Sequence, residues 1–359
     1  MTAPGGATAR SGMAAPGGAD ESGGAAWGRR WVRALLAVLV TAAVVVPLTA
    51  AAARPSIPAP APAVLPAVTA ATLERTYAAH RANAELASRM AADHGDRHRA
   101  AADRALAAPS RTLLSFDGRG LGRAVEVFGD LAHADRVAVL VPGSDTSLDT
   151  YERFHAQAAT LHDRLTEQAG RAGRPGSGAG SGADAGERTA VVAWLGYTTP
   201  GTISATVVTP DRAEEAAPLL RAFLTGLAAV TGPAARVTLL CHSYGTVVCG
   251  RAASRLDVSD VVLLGSPGTG AASVADLHTR ARIWAARGGD DWVADVPHVS
   301  ADLFGLTVGF GTDPLSPSFG ARVFAAGPGG HSDYFRPGSV SLGNIARIVL
   351  GATSEVTRA

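Results

Sequence analysis

Ser243, Asp291 and His331 are far apart along the chain, but their types and order suit one kind of chemistry. Ser243 lies in "LLCHSYGTVVCG", where an apolar run gives way to His-Ser-Tyr-Gly and apolar residues then resume. A serine hydroxyl is a weak nucleophile until a base takes its proton. That base needs an acid to orient it, and the oxyanion that forms needs two N–H donors. Serine first, an aspartate next and a histidine last is one of the chain orders in which such triads occur. His331, in "GGHSDYF", follows the last apolar strand-like run, which His242, His278 and His298 do not. His242 is expected to point away from its neighbour Ser243, towards the sheet interior. Asp291 is expected to be the acid and Asp290 is its alternative, with Asp295, Asp302 and Asp313 weaker.

A nucleophilic serine on a sharp strand-to-helix turn needs small residues two before and two after it, because strand and helix pass closely there. Gly245 meets the demand, and Cys241 stands where the usual pattern has glycine. The first oxyanion donor is expected to be the Tyr244 backbone N–H. The second is expected from Pro142-Gly143-Ser144-Asp145, with Ser144 as donor and Gly143 giving the backbone room to approach.

These residues need a scaffold that brings strand ends together. From residue 109 onward, apolar runs alternate with helical patterns. "RTLLSFD" and "GRAVEVFGDL" read as an antiparallel pair. "RVAVLVPG", "TAVVAWLGY", "ARVTLLCHS", "DVVLLGSP", "RIWAARGG" and "ARVFAAGP" read as further strands. Helices are expected over 148–169, over 210–230, after Ser243, and in "VSLGNIARIVLG". Runs that are apolar on both faces mean a mostly parallel sheet, here of about eight strands, with helices on both sides. Open sheets of this kind bind ligands at the carboxyl ends of their strands, where Ser243, Asp291 and His331 all fall.

The rest of the chain sets the organisation. Residues 1–28 are rich in Gly, Ala and Pro and are expected to be a disordered tail. Arg29, Arg30 and Arg33 precede an apolar run and an A-x-A end, so 29–53 reads as a signal peptide or a single membrane anchor. Either reading places the remainder outside the cytoplasm. Residues 54–68 form a Pro/Ala linker. Residues 69–108 form a helical segment of one or two helices, with His80, His94 and His98 expected on a solvated face. The α/β domain is expected over 109–353, with a flexible Gly/Ser-rich insertion in the 170s and 180s and a short tail over 354–359.

A net charge of +1 and 5% aromatic residues argue against a nucleic-acid partner. The two cysteines, Cys241 and Cys249, fall on different elements and are expected as buried free thiols rather than a disulfide scaffold. No His/Cys spacing suggests a metal site, and the chemistry needs no cofactor.

"VLVPGSDT", "AWLGYTTP", "CHSYGT", "GTDPLSPSFGA" and "GHSDYF" occur in that order. Together they resemble an actinobacterial family of α/β-hydrolase-fold proteins of unknown function, over about residues 113–351. The resemblance implies the α/β-hydrolase fold and a triad containing Ser243 and His331. It implies no substrate. The expected activity is that of an exported serine hydrolase acting on an ester of a small or lipid-like acyl group. Two alternatives stand beside it: an acyltransferase using the same triad, and a non-catalytic cell-envelope binding module on a hydrolase scaffold.

Overall fold

Within each central strand, alternate side chains pack into two separate cores. Val137, Val139 and Val141 face one side, and Ala138 and Leu140 the other. This two-sided burial follows from the strand period of two in a run with no polar face. The structure is a computed structural model and describes residues 57–172, 187–201, 209–296, 300–303 and 306–359. The expected tail, the export segment and the start of the linker lie outside the described residues. So do most of the Gly/Ser-rich insertion and His298.

The main sheet has eight strands: β1 (Leu113–Asp117), β2 (Arg123–Phe128), β3 (Arg136–Val141), β4 (Thr189–Leu195), β5 (Arg236–His242), β6 (Asp260–Leu264), β7 (Arg282–Ala286) and β10 (Arg322–Val323). Their spatial order is β1-β2-β4-β3-β5-β6-β7-β10. β1 and β2 are antiparallel to each other and β2 is antiparallel to β4, whereas the strands from β4 through β3 to β10 run parallel. The expected antiparallel edge and parallel body are both present. A separate antiparallel hairpin, β8 (Ser300–Leu303) with β9 (Leu306–Gly309), lies in a stretch that the sequence reading left irregular. The last strand of the sheet is only two residues long, much shorter than "ARVFAAGP" suggests.

The helices divide between the two faces. They are α1 (Leu73–Asp93), α2 (Arg97–Leu106), α3 (Tyr151–Ala172), α4 (Asp211–Thr231), α5 (Gly245–Ala252) and α6 (Val340–Val349). Leu220, Leu227 and Val230 of α4 and Val247, Val248 and Ala252 of α5 share one core with Val139, Leu239 and Val261. Leu161 and Leu165 of α3 and Ile345, Ala346 and Val349 of α6 share the other with Leu140, Leu240 and Val262. Each such fully buried aliphatic side chain contributes about 1.5–3 kcal/mol, most of it offset by the entropy of ordering the chain.

The N-terminal helical segment is two helices, α1 and α2, and α1 wraps the β1 edge. Leu73 and Tyr77 enter one core, and Ala84 and Ala87 the other. Of the histidines expected on its solvated face, His94 and His98 are exposed, but His80 is buried at 6% exposure. Residues 57–68 have no regular structure, and the Asn83 side-chain amide donates to the Ala61 carbonyl.

Candidate active site

β5 ends at His242, and the chain reverses into α5 within two residues. Ser243 makes the turn with φ +54°, a left-handed conformation that costs a non-glycine residue about 1–3 kcal/mol. Its N–H donates to the Leu264 carbonyl at the end of the neighbouring strand β6. The surroundings leave no room for larger neighbours. A Cβ on Gly245 would fall 2.6 Å from the Val141 carbonyl oxygen, and one on Gly143 would fall 2.5 Å from the Ser243 Cβ. The loop after β3 is therefore pressed directly against the serine. It is also held from behind: the Tyr197 hydroxyl donates to the Pro142 carbonyl and the Thr199 hydroxyl to the Thr146 carbonyl.

The cysteines depart from the sequence reading. Cys241 and Cys249 form a disulfide, with Cα atoms 6.5 Å apart. The physical reason is the chain reversal at Ser243. α5 folds back over the end of β5, and both cysteines belong to the same core, so residues eight apart in sequence meet. They do lie on different elements, as expected.

On the other side of the site, the loops after β7 and β10 are joined backbone to backbone. Gly289 N–H donates to Gly327 and Asp290 N–H donates to Gly329. This brings His331 Nδ1 to 2.9 Å and 3.1 Å from the two carboxylate oxygens of Asp291. Asp291 is 3% exposed, and it also accepts from the Val293 N–H and the Tyr334 hydroxyl. Burial alone would raise its carboxyl pKa. The His331, Tyr334 and Val293 donors outweigh burial and hold it down to about 2. Asp291 is thus a carboxylate at neutral pH, aimed at one nitrogen of His331. Gly265, which follows Leu264, lies beneath this pair; a Cβ there would sit 2.7 Å from the Asp291 carboxylate and 3.0 Å from the imidazole.

The other sequence candidates fall elsewhere. Asp290 and Asp295 are exposed, and Asp313 pairs with Arg287. The side chain of Asp302 lies outside the described residues. His278 is exposed on a left-handed turn. His242, expected to point into the sheet interior, instead lines the same cavity with its ring 4.7 Å from that of His331, and there it has a partner the sequence reading missed. Its Nε2 lies 2.6 Å from the His331 carbonyl oxygen, so that nitrogen carries the proton. Burial, and then the neighbouring His331, lower its pKa to about 4. Trp292, half exposed, packs its ring 4.7 Å from that of His331. Tyr334 and Trp292 were also not anticipated; both flank the two expected triad members in sequence, which is the only signal that could have pointed to them.

Ser243 and His331 line one cavity of about 490 Å³, with Ser144 and Tyr244 also in its wall. Ligand sites usually fall between about 300 and 1,000 Å³. Trp292, Val293 and Phe310 supply apolar surface, while Arg153 and Gln157, one turn apart on α3, supply polar groups. The Tyr244 N–H stands at the start of α5, where helical N–H groups have no acceptor within the helix. The Tyr244 hydroxyl donates to the Thr209 carbonyl and accepts from the Ala213 N–H, which ties the turn to the start of α4. Among the described residues no cluster of His, Cys, Asp or Glu could hold a metal ion, and no helix is long and apolar enough to cross a membrane.

Comparison with known proteins adds relatives to this geometry. The sequence profile of a family described as alpha/beta hydrolase matches residues 117–301. An uncharacterized protein of Mycobacterium tuberculosis is 31% identical over 264 residues, covering 66% of this chain and 38% of its own length. An uncharacterized Mycobacterium bovis protein is 35% identical over 178 residues, covering 48% of this chain and 63% of its own. The chain thus spans well under half the length of the M. tuberculosis relative. Among solved structures, the esterase PE8 aligns with a TM-score of 0.39 at 17% identity, over 62% of this chain and 95% of its own. A Xanthomonas campestris serine hydrolase without a lid aligns with a TM-score of 0.40 at 15% identity, over 68% of this chain and 95% of its own.

Proposed function

We propose that this chain, which belongs to the alpha/beta hydrolase family, is an exported serine hydrolase that cleaves an acyl ester through Ser243, His331 and Asp291. The reading rests above all on one observation. A serine in a strained left-handed turn shares a cavity with a histidine whose far nitrogen is held by a buried carboxylate.

The reaction follows from those positions. The Ser243 hydroxyl attacks the acyl carbonyl carbon while the other ring nitrogen of His331, Nε2, takes its proton. Asp291 keeps the Nδ1 proton in place and stabilises the imidazolium that forms. The tetrahedral oxyanion accepts from the backbone N–H groups of Tyr244 and Ser144. His331 then protonates the departing alcohol, leaving an acyl-enzyme. Water, deprotonated by the same histidine, attacks the acyl carbon and frees the acid and Ser243. The apolar wall around Trp292, Val293 and Phe310 suits an acyl chain, and Arg153 and Gln157 suit a polar end of the same molecule. No step uses a metal or an organic cofactor.

Export is part of the proposal. It is supported by the basic and apolar run over 29–53 and by a buried disulfide, a bond that persists in oxidising compartments.

A fluorophosphonate probe tests the chemistry on the full chain. Wild type is expected to be labelled and to hydrolyse p-nitrophenyl esters, with both activities lost in Ser243→Ala. A well-folded wild type that takes no label and turns over no ester overturns the reading and favours a binding module. Competition by added alcohol acceptors separates transfer from hydrolysis.

A further inference from the structure

We propose that the Cys241–Cys249 disulfide is a positioning clamp for Ser243, and that the dithiol form of the same protein is its slow form. The inference rests on the reading of Ser243 as nucleophile. It goes beyond that reading by assigning a role to two residues that touch neither substrate nor the reacting atoms.

The argument starts from where the bond lies. Cys241 pairs in the sheet with Val141 on β3 and Leu263 on β6, so its backbone is fixed on both sides. Cys249 lies on α5, four residues after Gly245 and so about one turn further along, on the face that enters the same core. The bond therefore closes a short loop whose turn is Ser243 itself. It ties the strand that leads into the left-handed residue to the helix that leads out of it. Both cysteines are 0% exposed.

Losing the bond has a definite steric consequence. Sulfur atoms about 2 Å apart in any disulfide must move to about 3.5–4 Å once they are unbonded. Both cysteines are fully buried in one close-packed core, which resists that increase. At the other end of the turn, Gly245 is already packed against the Val141 and Pro142 carbonyl oxygens, with no space for even a methyl group. Cys241 cannot retreat from two paired strands, so α5 must shift or roll. The residues that move with it include Ser243 and the Tyr244 N–H. A displacement of about 1 Å at a reacting group can cost about 100-fold in rate.

The pair forms by exchange with a disulfide-bearing oxidant. One cysteine thiolate attacks the oxidant's disulfide and releases one thiol. The second cysteine thiolate attacks the resulting mixed disulfide and releases the other. The two protein thiols are oxidised together, and the oxidant gains two electrons and leaves as two thiols. Because both sulfurs are buried in the folded chain, this exchange belongs to folding, before α5 closes over β5. A chain that folds in a reducing compartment then stays slow, and one that folds after export gains its full rate.

Two variants test the clamp. Cys249→Ser leaves Cys241 unbonded, and kcat for a p-nitrophenyl ester is expected to fall 10- to 100-fold while KM stays within about threefold. The rate constant for fluorophosphonate labelling should fall in parallel, with the assay run well below the measured Tm of the variant. Cys241→Gly combined with Cys249→Ala removes the bond and also the bulk that forces the elements apart; it is expected to recover at least 10-fold of the lost kcat. Wild type refolded with a phosphine reductant should match Cys249→Ser, and refolding with oxidised glutathione should restore it. A folded Cys249→Ser with kcat within twofold of wild type overturns the proposal, as does a folded double variant as slow as the single one. Failure of oxidised wild type to label or hydrolyse would instead strike at the nucleophile assignment.

Discussion

His242 is held neutral in the folded protein, and this makes stability depend on pH in a definite direction. Its folded pKa is about 4, lowered from 6.5 first by burial and then by His331. As pH falls through 6.5, the unfolded chain takes up the proton before the folded one does. The contribution is therefore whole above about 6.5 and is lost progressively as pH falls towards 4. The exposed edge of the ring discounts the full shift, leaving about 2 kcal/mol. His242→Gln keeps a donor for the His331 carbonyl and removes the titration. Urea denaturation at about pH 7 and pH 4.5 should show a smaller loss of stability in the variant than in wild type, by about 2 kcal/mol. Equal losses would mean that His242 is not the group titrating in that window. The residue types of the proposed triad were legible because that chemistry limits the choice. Neither Tyr334 nor His242 was, since a tyrosine that donates to a carboxylate and a histidine that donates to a carbonyl leave no spacing pattern in sequence.

Two loops, after β7 and after β10, hold Asp291 and His331 against each other, and they pass closely at Gly288. A Cβ there would fall 2.2 Å from the Gly329 carbonyl oxygen, which is backbone and has no flexible end to turn aside. The Gly288 N–H also donates to the Tyr334 hydroxyl, the group that in turn donates to Asp291. Gly288→Ala must therefore part the loops. It is expected to lower kcat about 100-fold with little change in KM, and to cost about 1–3 kcal/mol of stability. Steady-state kinetics and thermal melts on the same sample check both; unchanged kcat would show that the loops tolerate separation. The elements were read from sequence with uneven success for a physical reason. β3, β4 and β5 are buried on both faces and show as unbroken apolar runs. β10 pairs with β7 over only two residues, so the apolar run around it overstates the strand. The disulfide was missed because a spacing of eight does not reveal that the chain doubles back at Ser243.

At the scale of the whole molecule, the N-terminal helices are tied to the α/β domain by a buried charge. Arg99 of α2 is 1% exposed, and its guanidinium donates to both carboxylate oxygens of Asp149 and to the carbonyls of Gly118 and Gly120. Asp149 lies between the loop after β3 and α3, and Gly118 and Gly120 lie in the turn between β1 and β2. One side chain therefore links the helical segment, the antiparallel edge and the approach to the site. Nothing in the sequence marked it, because an arginine on a polar-looking helix reads as solvated unless the partner fifty residues away is known. Arg99→Met keeps much of the side-chain volume but takes the buried guanidinium away from the Asp149 carboxylate and from the Gly118 and Gly120 carbonyls. Breaking one side of a buried pair costs about 3–5 kcal/mol. At about 2–4 °C per kcal/mol for a domain of this size, Tm should fall by roughly 6–20 °C. If α1 and α2 are part of the folding unit, the variant should still melt in one transition, with helical and aromatic signals lost together. A separate early transition confined to the helical signal would show that the segment folds by itself and that Arg99 only docks it.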